Sequence, residues 1–249
     1  MPARTFAIGD IHGELDKLER VLDRLPPLCA EDTLLFIGDY IDRGPDSAGV
    51  VALVRDLPNR VSARLVTLRG NHEDAWLKVR TAGWLEFVLP TSNGCLPTYC
   101  SFTGRTPPPP GQFGSAEEFE AMVSGSFFPD DVIAWMDSLL PWWEDEHAIY
   151  VHAGLPQIEG RWLHPSEVED PRPLYWQRSK LFFQSYTGKR VVFGHTSTEL
   201  LPQELSSFTP GDVGDLFLSE CLIGIDTGCG RGGFLSAIEL PSLTVYDSR

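Results

Sequence analysis

An α/β fold with a βαβαβ start, followed by a mixed or antiparallel sheet packed near it, is what the sequence predicts. Three observations carry that reading. Apolar, strand-like runs alternate with helix-periodic segments over the first third of the chain. Five such runs end on small polar residues. Strand patterns return in the second half mostly without helices between them.

The elements follow in order. FAIGD reads as a buried strand, and 14–25 as a helix with Leu15, Leu18, Val21, Leu22 and Leu25 on one face, stopped by Pro26 and Pro27. TLLFIGD is a second strand, leading through DRG into a helix near 47–57 that repeats Val50, Val51, Val54 and Leu57. ARLVTLRGN is a third, feeding a helix from about Glu73 that turns Ala75, Trp76 and Val79 inward. The rhythm then breaks. Residues 92–113 hold Asn93-Gly94, Gly104, four consecutive prolines and Gly111, a loop or lid composition. Ser115 with Glu118 forms a capping box for a helix through Met122, and another helix covers 131–140. HAIYVHAG, KRVVFGH, CLIGID, FLSAIEL and LTVYD read as strands. Gly228, Gly230 and Gly233 satisfy GxGxxG, but a strand follows where a dinucleotide site needs a helix, so a glycine-rich hairpin is expected.

At 249 residues, with 42% apolar and 22% charged residues, the composition is that of a globular protein. The net charge of −15 opposes binding to nucleic acid or anionic lipid, because phosphate backbones reward Lys and Arg. No apolar run is long enough to span a membrane, and no signal-peptide pattern opens the chain. Five cysteines, odd in number and without a CxxC pair, are expected as free thiols in a reducing cytoplasm.

Buried parallel strands deliver whatever follows them to one sheet edge. The five endings deliver Asp10 and His12, Asp39, Asn71 with His72, His152 and His195. Asp10 and His12 can share one ion, Asp39 can bridge two, and Asn71, His152 and His195 can complete the coordination of the second ion. Oxygen and imidazole donors without a thiolate suit manganese, iron or zinc rather than calcium. Two ions ~3.5–4 Å apart can activate a shared water and stabilise the oxygens of phosphoryl transfer. His147 and His164 lie outside these endings and are expected to be structural, and six tryptophans (Trp84, Trp135, Trp142, Trp143, Trp162, Trp176) are expected in the core or a cleft wall.

GDIHG at 9–13, GDYIDRG at 38–44, GNHE at 70–73, HAG at 152–154 and GHT at 194–196 resemble, in content and order, the motifs of the phosphoprotein phosphatase family of metallophosphoesterases. LPWWE, LYWQR and IDTGC resemble its bacterial serine/threonine branch. The resemblance implies the calcineurin-like sandwich of two mixed β-sheets flanked by helices. The absence of internal repeats, with Pro and Gly stretches that sit inside the pattern without dividing it, predicts one domain over 1–249, with 92–113 as a loop or lid insertion. The resemblance also implies a first metal on Asp10, His12 and Asp39 and a second on Asp39, Asn71, His152 and His195. His72 would be the general acid, oriented by Asp42, with Arg43 and Arg178 binding the substrate phosphate. The implied cofactors are two divalent ions, manganese first, and the implied reaction is hydrolysis by a metal-bridging hydroxide without a phosphoenzyme. Phosphoserine and phosphothreonine in proteins are the expected substrates. Two rivals stand beside this reading: a symmetrical dinucleoside tetraphosphatase, and a catalytically silent metal-binding scaffold. The segments 92–113 and 155–178 are expected to choose the substrate.

Overall fold

In a computed structural model, residues 3–107, 115–207 and 215–249 are described. Three parallel strands, β1 (Thr5–Ile8), β2 (Thr33–Phe36) and β3 (Arg64–Thr67), alternate with α1 (Leu15–Arg24), α2 (Ser47–Arg60) and α3 (Asn71–Ala82), as the periodicity predicts. Their side chains divide by the period of two. Phe6, Ile8, Leu34 and Phe36 pack against the helices, whereas Ala7, Leu35 and Val66 face the second sheet.

That second sheet is mixed. It comprises β4 (Trp142–Glu144), β5 (Ile149–Val151), β8 (Val191–Phe193), β9 (Phe217–Leu218) and β10 (Leu222–Gly224), in the order β4-β5-β8-β10-β9. Its centre is parallel and its edges antiparallel. Tyr150, Val192 and Ile223 meet the first sheet, and Ile149, Val151, Val191 and Phe193 meet the apolar side chains of α8 (Arg172–Trp176) and α9 (Lys180–Ser185). A small hairpin, β6 (Gln157–Ile158) with β7 (Arg161–Trp162), lies between β5 and α8.

The last two strands depart from expectation. β11 (Ser236–Leu240) and β12 (Thr244–Asp247) do not extend the second sheet but return to the first, β11 pairing antiparallel with β1 through Thr5 and Leu240. The glycine-rich segment before them is therefore not a hairpin but a turn that carries the chain from one sheet to the other. The exposed flank of β1 offers unpaired donors and acceptors that β11 satisfies, a demand invisible in local pattern.

Residues 92–113 also differ from a plain loop. α4 (Leu85–Val88) and a short 3₁₀ turn precede α5 (Cys95–Thr103), which is bracketed by left-handed Gly94 and Gly104. Pro97 sits in its first turn, where a missing N–H costs nothing. The proline run lies largely outside the described residues. α6 (Ala116–Ser124) opens on the expected capping box, with Ser115 Oγ accepting from Glu118 N at 3.2 Å, and α7 (Asp130–Ser138) follows. α3 starts two residues earlier than periodicity suggests, placing Asn71 and His72 in its first turn. α2 runs past its expected end, through Pro58 to Arg60.

Candidate metal centre

β1, β2, β3, β5 and β8 all point their carboxyl ends to one region, and all seven polar residues they deliver or adjoin (Asp10, His12, Asp39, Asn71, His72, His152, His195) are buried there. Two groups of side chains have ligand atoms close enough to hold an ion: His12, Asp39 and His72, and Asp39, His152 and His195. Asp39 belongs to both. Its Oδ2 lies 3.4 Å from His12 Nε2, and its Oδ1 3.4 Å from His152 Nε2. Asp10 Oδ2 is 4.0 Å from His12 Nε2, and Asn71 Oδ1 stands 3.1 Å from His152 Nε2 and 2.7 Å from His195 Nδ1.

The backbone is forced to make this convergence. His12, Asp39, Asp42, Arg43 and His195 all have positive φ, between 51° and 72°, a conformation costly for residues with a Cβ and typical of sites held by their surroundings. Close approach demands the glycine before His195: a Cβ on Gly194 would lie 2.0 Å from Asp10 Oδ1. Glu73 ties the sheet edge to α3, its carboxylate accepting from the backbone N–H groups of Asp39, Tyr40 and Gly70 at 2.9–3.0 Å.

The protonation pattern suits cations. His12 Nδ1 donates to the Ile41 carbonyl and His152 Nδ1 to the Ile37 carbonyl, each at 3.0 Å, which leaves both Nε2 lone pairs facing Asp39 oxygens. Burial lowers the pKa of His12, His152 and His195, so protonation does not relieve this opposition of acceptors. His195 Nε2 is buried with no partner among the described residues. Burial, with Asp226 and Asp39 nearby, pushes Asp10 well up. Burial also pushes Asp39 up, but His152, His72, His12 and Arg43 outweigh it and hold that carboxylate low. The Arg43 guanidinium reaches His12 Nε2 and lies 3.1 Å from His72 Nε2, so a positive charge stands beside the cluster. The donor set therefore fits the divalent metal centre that a metallophosphoesterase requires.

Around the cluster stand the residues that could act on a substrate. Asp42 Oδ2 accepts from His72 Nδ1 at 2.6 Å. Arg178 donates to the His195 carbonyl at 3.1 Å, which draws the second predicted arginine to the same site. His147 and His164 lie elsewhere, bonded to Ala3 and Glu144, and the five cysteines are free, as expected. Trp84 and Trp176 pack together at 5.6 Å beside α3 and α4.

Three residues escaped sequence reasoning. Asp226 ends β10 as a sixth strand ending, buried near Asp10, its carboxyl raised by burial and bonded to Gly228 N. The ending CLIGID carried that signal. Thr98, on α5, both donates to Asp42 Oδ1 at 2.7 Å and accepts from Asp42 N at 2.9 Å. No local pattern marks it. Arg231 lies within the glycine turn, exposed, and the charge of Arg43, then partial desolvation and Arg178, lowers its pKa against the pull of Asp226 and Asp39.

Known proteins resemble parts of this sequence, and solved structures share its fold. Over 67 residues the chain is 40% identical to a catalytic subunit of protein phosphatase 2A from Dictyostelium discoideum, covering 26% of this chain and 21% of that protein. Over 79 residues it is 38% identical to the symmetrical bis(5'-nucleosyl)-tetraphosphatase of Dechloromonas aromatica (strain RCB), covering 32% and 27%. The chain spans between 18% and 27% of the length of such curated relatives. A crystal structure provisionally assigned as a diadenosine tetraphosphatase shares the fold, with a TM-score of 0.60 and 22% identity over 99% of this chain and 93% of that one. The family model described as calcineurin-like phosphoesterase matches residues 3–199, the stretch that holds every one of the five strand endings, and so the chain belongs to that family.

Proposed function

We propose that this chain is a metal-dependent phosphoester hydrolase acting as one domain, and that its substrates are phosphoserine and phosphothreonine in proteins. The observation that carries the reading is the pairing of His72 with Asp42 beside a carboxylate shared by two ligand groups. Asp10, His12 and Asp39 would hold one ion, and Asp39, Asn71, His152 and His195 the other. Bound there, two divalent ions supply Lewis-acid stabilisation and water activation. Manganese suits the oxygen and imidazole donors best, with iron or zinc as alternatives.

The protein's own groups do the rest. Arg43 and Arg178 clamp the phosphate oxygens with their guanidinium forks. Asp42 holds the Nδ1 proton of His72 and so directs Nε2 at the site. From Nε2, His72 gives a proton to the departing alkoxide, which is a poor leaving group without one. A scaffold that only binds metal has no use for an acid so oriented. The five free thiols fit a reducing compartment, the cytoplasm. No helix among the described residues is long and apolar enough to cross a membrane.

A second reading is cleavage of dinucleoside tetraphosphates, favoured by the additional arginine, Arg231, beside Arg43 and Arg178. The test compares phosphate release from a phosphoserine peptide with cleavage of diadenosine tetraphosphate by the manganese-loaded protein. A clear preference for the peptide supports the first reading, and a clear preference for the dinucleotide replaces it with the second. No turnover of either, or of para-nitrophenyl phosphate, with metal demonstrably bound, overturns both.

A further inference from the structure

The turn between β10 and β11 is held hard against the metal centre. A Cβ on Gly230 would lie 2.6 Å from His12 Cβ and 3.3 Å from Arg43 Cβ, so this stretch of backbone touches both a proposed ligand and a proposed phosphate clamp. Cys229 Sγ bonds the Ile11 carbonyl, Lys17 Nζ bonds the Gly233 carbonyl, and Asp226 accepts from Gly228 N. Contacts from α1, from the Asp10 loop and from β10 thus fix the turn and the residue it presents, Arg231.

Beside it lies a cavity of about 130 Å³, lined by Ser197, Glu199, Thr227, Arg231 and Phe234 with two glycines. That is far more than the ~10–15 Å³ needed to admit one water. Among the described residues the Arg231 guanidinium has no hydrogen bond and no ion pair, and the Ser197 hydroxyl, two residues past His195, has no partner. The Thr227 hydroxyl is committed to the Phe234 carbonyl and to Ser236. Glu199 is exposed on the cavity wall and forms no ion pair with Arg231. Arg231 is exposed on the cavity wall, where Asp226 and Asp39 offset part of the repulsion from Arg43 and Arg178, and its guanidinium fork is left open to an anion.

We propose that this cavity is a second anion subsite, in which Arg231 and Ser197 bind a phosphate group of the substrate other than the one being cleaved. The subsite rests on the hydrolase reading only in that the metal centre receives the first phosphate. Its ligand is chemically one thing, a second phosphate, which either a phosphate chain or a doubly phosphorylated peptide can present.

The experiment titrates manganese-loaded wild type and Arg231→Gln with orthophosphate and with methylenediphosphonate by calorimetry. Wild type should bind the diphosphonate at least tenfold more tightly than orthophosphate, and R231Q should lose most of that preference; Ser197→Ala should lose a smaller part. A preference unchanged in R231Q, or absent from wild type, overturns the subsite. So does equal weakening of both anions, which would place Arg231 on the reacting phosphate. Wild-type turnover of para-nitrophenyl phosphate reads the hydrolase assignment independently. The source of the second phosphate follows from kcat/KM. A loss in R231Q confined to diadenosine tetraphosphate names a phosphate chain, and one confined to a doubly over a singly phosphorylated peptide names a phosphoprotein.

Discussion

Asp42 Oδ2 sits 2.6 Å from His72 Nδ1, while Trp76 Nε1 at 3.0 Å and Thr98 Oγ1 at 2.7 Å donate to the same carboxylate. Three donors from two helices lock this carboxylate, and through it the histidine ring. Rigid support of that kind holds a proton donor within reach of its partner, which is the role proposed for His72.

His72→Asn should keep its metals and lose about 10²–10³ in kcat on an alkyl phosphate such as phosphoserine peptide. The loss should be much smaller on para-nitrophenyl phosphate, whose leaving group needs little protonation. Steady-state kinetics on both substrates check this, and equal losses would remove His72 from the acid role.

Thr98→Val keeps shape and removes two hydrogen bonds to Asp42, one of them to a buried carboxylate. Its stability should fall by about 2 kcal/mol, read from the urea midpoint, with kcat reduced several-fold and KM little changed. Thr98→Ser should recover most of both. A Thr98→Val enzyme with normal kcat would show that Asp42 needs no support from α5.

Asp39 serves both ligand groups, so Asp39→Asn should lose both ions together rather than one. Metal content after gel filtration, by elemental analysis, tests this directly. Retention of one equivalent of metal would argue against a shared carboxylate.

Away from the site, Arg4 donates to both oxygens of Asp32, at 3.0 and 2.6 Å, and Cys29 N donates at 2.9 Å. Burial works against ionisation of Asp32, but these partners prevail and bring its pKa down to about 2. A carboxylate whose folded pKa is depressed stabilises above its unfolded value, near ~4, and that contribution disappears as pH falls towards 2. Asp32→Asn should therefore cost about 2 kcal/mol at pH 7, with the gap from wild type narrowing between about pH 4 and pH 2. Urea titrations across that range measure it. A gap independent of pH would assign the cost to packing.

The proposed ligands are legible in the sequence alone because each obeys a local rule. An apolar strand runs to its end, the chain turns, and a small polar residue emerges at the carboxyl edge. Asp10, His12, Asp39, Asn71, His152 and His195 all follow it, and Asp226 obeys the same rule at CLIGID. The glycine that precedes Asn71 and the one that precedes His195 are equally visible, since close backbone approach leaves no space for a Cβ.

Other features depend on contacts between residues distant in the chain, and tertiary structure alone decided them. Periodicity tells which face of a strand is buried, not which strand lies beside it. Nothing in FLSAIEL therefore announces that it pairs with β1 across more than two hundred residues. Thr98 meets Asp42 because α5 folds back over α2, and a lone threonine in a helix has no local signature of that duty. Arg231 comes to the rim of the metal centre because the turn between the sheets is pinned by Ile11 and Lys17. Local sequence specifies the conformation and polarity of each segment through short-range sterics and burial. Which segments become neighbours is settled only when the whole chain competes for one core and every backbone group must find a partner.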